Sequence, residues 1–223
     1  LEIWCDPKPG RYKNQFWDFT IPEPEDDVGL GVHLRPYQLP HPPIAVAGIS
    51  PRSDTLTLAG ERGWMPMSIN IVPPRILKGH WDSVQQGAAK LGQEACRSRW
   101  RIARDIYVAD SSSRARSEAL EGTLGRDFRG YWQKLLPKSR MLDLTKTDPN
   151  MPDSVFTPEY ALDNLWIVGD PDTVASKLRQ LYDEVGGFGT LLAMGHEWQP
   201  REQWTHSMSL LKNEVMPQLA DLG

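Results

Sequence analysis

The chain has 223 residues, a formal net charge of −4, 39% apolar residues and 24% charged residues, the mix expected of a soluble globular chain with one sizeable core. No stretch approaches 18 uninterrupted apolar residues, which excludes a readable transmembrane helix. The acidic balance argues against nucleic acid or a polybasic membrane surface as partner, since both need clustered Lys and Arg. Two cysteines, Cys5 and Cys96, have neither disulfide nor metal-knuckle spacing and fit a reducing, cytoplasmic setting.

The opening Leu1-Glu2-Ile3-Trp4-Cys5 reads as the end of an amphipathic helix, with no initiating methionine. Residues 6–43 are rich in proline, which forbids a long helix. Within them Tyr12–Phe19 sets aromatic residues around Asn14-Gln15 and predicts a short hairpin. Residues 1–43 are therefore expected to be a helix end plus an irregular segment, and residues 44–223 the main body.

Ile44–Gly48 is a short apolar run after a double proline and predicts a strand buried on both faces. Ser50-Pro51 predicts a helix start, with Ser50 as cap and Pro51 at the first helical position, running to Arg62 and ending at Gly63. A second strand is expected over 65–72 and a helix over 75–91. A third strand is expected over 100–109 and a long helix over 112–136. Residues 137–157, without periodicity, predict a loop or lid-like insertion. Helices are expected over 158–164 and 172–185, a fourth buried strand over 190–194, and a last helix over 201–219.

Four strands, each followed by a helix, predict an α/β fold with a parallel sheet and helices outside it. This is half of an eightfold barrel or a small doubly wound sheet. The Gly-x-Gly-x-x-Gly turn of a dinucleotide-binding doubly wound sheet is absent.

In either architecture ligands bind at the carboxyl ends of the strands. At the first junction, Gly48 would let a ligand approach the backbone, and Ser50 and Ser53 are spaced to share one side of a helix N-terminus. Free amides and the helix dipole attract an anion there, and Arg52 adds charge. An ordinary serine cap is the competing explanation. At the second junction, Asn70 either faces a ligand or satisfies backbone groups. Asp110-Ser111 is read as a helix cap. At the fourth, His196 is placed for acid–base work or for hydrogen-bonding an intermediate, with Glu197 turned to the other side. His33, His41, His80 and His206 have no metal-ligand spacing, and no hydrolase elbow or paired-cysteine motif is present, so no metal is expected.

Pro43–Ser53, Leu58–Trp64 and Trp166–Leu178 resemble the bacterial luciferase-like flavin-dependent monooxygenases. The last matches V-G-[ST]-P-[DE]-x-V-A-x-x-L, with Asp170 where Ser or Thr is usual. Phe188–Trp198 is similar to the limonene-monooxygenase-like branch. The resemblance implies the C-terminal half of a (β/α)8 TIM barrel that binds FMN, with Gly48, Ser50 and Ser53 at the flavin phosphate and Asn70 and His196 lining the pocket. It further implies reduced FMN supplied by a separate reductase, reaction with O2 through a C4a-peroxyflavin, and oxygenation of a small hydrophobic substrate. Partners implied are the missing N-terminal half of the barrel and a second copy in a dimer. Two alternatives stay open: a non-catalytic flavin-binding or partner subunit, and a deazaflavin-dependent oxidoreductase on the same barrel.

Overall fold

The computed structural model describes residues 1–31 and 35–222; His33 lies outside the described residues. It divides into two units, Leu1–Ile44 and Ala45–Gly223.

In the first unit, one helical turn, α1 (Glu2–Cys5), precedes an antiparallel hairpin of β1 (Gly10–Lys13) and β2 (Asp18–Ile21). Asn14 makes the turn: its side-chain oxygen accepts from the amides of Phe16 and Trp17, both at 2.8 Å. Tyr12 and Phe19 are cross-strand partners whose rings stack 5.5 Å apart. The expected hairpin is present.

The second unit begins with β3 (Ala45–Gly48), α2 (Asp54–Arg62), β4 (Met65–Ser68), α3 (Pro74–Ala89), β5 (Arg101–Arg104) and β6 (Ile106–Val108). After these come α4 (Ser112–Glu121), α5 (Thr123–Asp127), a π-helical turn over Phe128–Trp132 and α6 (Gln133–Ser139). The chain continues with α7 (Pro158–Asn164), β7 (Ile167–Gly169), α8 (Pro171–Val185), β8 (Thr190–Ala193) and α9 (Arg201–Leu210). One sheet runs β3-β4-β5-β8, and every neighbouring pair in it is parallel. All four strand ends thus open on one rim. Among the described residues no helix is long and apolar enough to cross a membrane.

Several expectations need correction. β3 is not buried on both faces: Ala45 and Ala47 are exposed and only Gly48 is buried. β8 is likewise half-buried rather than buried. Both are edge strands of this sheet, so each lacks a neighbour on one side. The third strand is not continuous. It breaks at Asp105, whose carbonyl accepts from Ile167, so its second half, β6, leaves the sheet to pair with β7, a strand the periodicity did not reveal. The long helix over 112–136 breaks at Gly122, where ψ is −154°. Residues 137–157, expected as a loop or lid-like insertion, run mostly through turns and short 3-10 segments that pack on the body. Leu142 and Phe156 are buried, Arg75 donates to the carbonyls of Asp143 and Lys146, and the Lys146 ammonium lies 2.7 Å from both Asp143 and Asp153.

Trp81, Trp100, Ile102 and Leu178 belong to one buried cluster between sheet and helices. Tyr107, Phe128, Phe156 and Trp166 belong to a second, under α4–α7. Helices α2 and α3 cross at glycine. A Cβ on Gly60 would lie 2.1 Å from the Val84 carbonyl oxygen, and one on Gly87 would lie 1.9 Å from that of Thr57. Backbone cannot yield cheaply at such contacts. Gly87→Ala is therefore expected to cost about 1–3 kcal/mol, read as a lower urea midpoint with an unchanged m-value.

Candidate functional site

The first junction is a turn, not the start of a helix. Helix α2 begins at Asp54, and its cap is Ser53, whose hydroxyl accepts from the Leu56 amide at 3.3 Å. This corrects the expectation of a Ser50 cap with Pro51 in the first turn. Ser50 sits outside the helix and donates to the Arg52 carbonyl at 2.9 Å. Ser53 is 5% exposed, and its hydroxyl is also 2.9 Å from that of Thr55. The Ser53 amide is itself tied down, donating to Ser83 Oγ at 3.2 Å.

Two donors are left. The amides of Asp54 and Thr55, at the first two helical positions, have no backbone acceptor. Arg52, exposed, lies two residues before Asp54 in the chain, while the Asp54 carboxylate opposes an anion. A Cβ on Gly48 would lie 2.5 Å from Leu56 Cδ1. Glycine at this position admits Leu56 of α2 against the strand end.

At the second junction Asn70 is buried, and its amide donates to Asp105 Oδ2 at 2.7 Å. Arg104 is wholly enclosed. It donates to the carbonyls of Ile69, Asn70, Val72 and Ala103, and burial pushes its pKa down to about 10. It fixes the backbone on either side of Asn70. At the third junction Ser111 caps α4, accepting from the Arg114 amide, as expected.

The fourth junction sets a histidine between two carboxylates. His196 Nε2 lies 2.8 Å from Asp105 Oδ1, and Nδ1 lies 3.0 Å from Asp127 Oδ2. Burial opposes charge on this ring, but the hydrogen bonds and fields of the two aspartates outweigh it, and the pKa rises above the ordinary histidine value. With both ring nitrogens facing carboxylates, the surroundings favour the protonated form of His196, in which each nitrogen donates to one aspartate. A ligand reaches a ring nitrogen only by displacing Asp127, the more exposed partner at 45% against 3% for Asp105. Trp204 packs against the imidazole with ring centroids 5.7 Å apart.

Asn70, Asp127, Tyr131, Trp132, Met194 and His196 line a cleft of about 370 Å³ at this rim. Tyr131 and Trp132 stand edge-to-face, 4.9 Å apart, on the π-helical turn. Such turns recur at functional sites. The structure thus brings Asn70 and His196 together through Asp105. It sets Gly48, Ser50 and Ser53 on the same rim, two strands away from β5. Sequence reasoning missed Asp105, though a carboxylate between Ile102 and Ile106 inside an apparent strand was a legible signal. Asp127 carried none, since its role depends on the break at Gly122.

The model of the luciferase-like monooxygenase family matches residues 15–188. Among curated proteins, the chain is 31% identical to 3,6-diketocamphane 1,6-monooxygenase of Pseudomonas putida, covering 98% of this chain and 59% of that one. It is 27% identical to limonene 1,2-monooxygenase of Rhodococcus erythropolis, covering 86% and 47%. A solved structure of the oxygenating constituent of 3,6-diketocamphane monooxygenase from the Pseudomonas putida CAM plasmid, a type II Baeyer–Villiger monooxygenase in complex with FMN, is similar with a TM-score of 0.79 at 31% identity. That match covers 97% of this chain and 60% of the other. The chain therefore spans about six tenths of the diketocamphane relative's length.

Proposed function

The chain belongs to the luciferase-like monooxygenase family, and from that premise we propose that it forms part of an FMN-dependent monooxygenase acting on a small hydrophobic organic molecule. The observation that carries the proposal is the meeting, on one rim, of a helix N-terminus with two unsatisfied amides and a cleft walled by Tyr131, Trp132 and Met194. The donor set fits the flavin phosphate. The Asp54 and Thr55 amides, the Ser50 hydroxyl and the Arg52 guanidinium meet its charge, while Ser53 acts by building the turn rather than by direct contact. Reduced FMN, delivered by a separate reductase, supplies the electrons that activate O2.

The residues of this chain bind, orient and shield. Asn70 and Asp105 hold His196, whose protonated form would favour electron-rich oxygen in the cleft over a neutral alternative. Tyr131, Trp132 and Met194 exclude water and offer apolar surface to the substrate. The unpaired edges of β3 and β8 are met by further strands of a barrel. The diketocamphane relatives point to bicyclic ketones as the first compounds to test.

Anaerobic titration with reduced FMN and with a reduced deazaflavin, followed by a bicyclic ketone and ¹⁸O2, tests this reading. Tight binding of FMN and one ¹⁸O atom in the organic product are expected. Binding of the deazaflavin alone, or peroxide with no oxygenated product across a ketone panel, would contradict it.

A further inference from the structure

The turn at the first junction is carried by the neighbouring helix. Gly79, His80 and Ser83 of α3 all bear on Ile49–Ser53. A Cβ on Gly79 would lie 2.4 Å from the Pro51 carbonyl oxygen, so helix and turn are in direct backbone contact. Ser83 Oγ accepts from the Ser53 amide at 3.2 Å and donates to the Gly79 carbonyl at 2.9 Å. His80 is fully buried. Its Nδ1 is 2.8 Å from Ser68 Oγ, which also accepts from Trp100 Nε1 at 3.0 Å. Its Nε2 has no hydrogen-bond partner, although the backbone of Ile49 and Ser50 lies against the ring.

An enclosed imidazole nitrogen without a partner costs stability. Here it sits beneath the segment that leads into the only part of α2 with free amides. Trp100 and Ser68 fix the ring from the sheet side, so the ring cannot turn away to find another partner. We propose that Gly79, His80 and Ser83 are positioning residues that set the Ile49–Ser53 turn in its anion-binding conformation, with His80 Nε2–H directed at the turn's backbone. The proposal rests on the reading of that turn as the flavin-phosphate site.

The test compares FMN with riboflavin, which lacks the phosphate, in the purified protein carrying His80→Asn, His80→Gln or Gly79→Ala. Asparagine can replace Nδ1 and keep the Ser68 contact but cannot reach the Nε2 position; glutamine can reach it. The preference for FMN over riboflavin should fall about tenfold, or about 1.4 kcal/mol, in His80→Asn and Gly79→Ala. His80→Gln should restore most of it. A remote core variant, Val185→Ala, lowers stability without touching the turn and should leave the ratio unchanged. If the wild type prefers FMN and both His80→Asn and Gly79→Ala keep that preference, the positioning role is overturned. If the wild type binds riboflavin as tightly as FMN, the phosphate-site reading itself fails, and this inference with it.

Discussion

Replacing Asp105 with alanine is expected to cost about 3 kcal/mol of stability, because it removes the buried carboxylate that accepts from Asn70 and faces His196, leaving the ring only the more exposed Asp127. Asp105 is the hub of the rim. Its two oxygens accept from Asn70 and His196, and wholly buried Arg104 is adjacent in the chain. The variant should also draw the His196 pKa down, since Asp105 is the larger of the two carboxylate influences on it. Because the folded pKa of His196 is raised, its contribution is complete below the unfolded value of about 6.5 and is lost as pH rises through the folded value. Urea unfolding across that range should show the wild type losing stability on the alkaline side and Asp105→Ala showing a shallower loss. A cost under about 1 kcal/mol, or an unchanged alkaline slope, would mean that the two aspartates do not hold a charged ring.

His80 should behave in the opposite sense and dominate the acid side. Burial pushes its pKa down to about 4, against the opposing pull of the Ile49 and Ser50 backbone. Its stabilising contribution is present above the unfolded value of about 6.5. It declines as pH falls from there to about 4, because the unfolded chain takes up a proton that the folded chain refuses. The span corresponds to about 3 kcal/mol. The difference between wild type and His80→Asn, followed from pH 7 to 4 by urea unfolding, isolates it. The wild type is expected to lose stability faster with acid than the variant does. Parallel curves would show that the ring is not held neutral by its surroundings.

Much of the frame was readable from local pattern. Apolar runs bounded by glycine and proline placed four parallel strands, Gly63 ended α2, a helix was expected over 158–164 where α7 lies, and Asn14 marked the hairpin. The choice of Ser53 over Ser50 as cap was not readable, since both are good cap residues and the decision is tertiary. Leu56 fills the space over Gly48, and Ser83 holds the Ser53 amide, which together set where the helix begins. Sequence reasoning ran one strand through Asp105 because Ile102, Ile106 and Val108 keep its apolar character. The break exists because β7, too short to announce itself, pairs with β6. His196 was legible as a strand-end histidine. That both its nitrogens are taken by carboxylates was not, because Asp105 and Asp127 lie 91 and 69 residues away in the chain.

On the proposed reading, the N-terminus of α2 meets an anion's charge. Amide resonances of Asp54 and Thr55, followed by NMR during titration with FMN and with riboflavin, test it most directly. Both amides should move downfield with FMN, as new hydrogen bonds form, and stay in place with riboflavin. Binding of FMN that leaves both resonances where they were would put the phosphate elsewhere and contradict it.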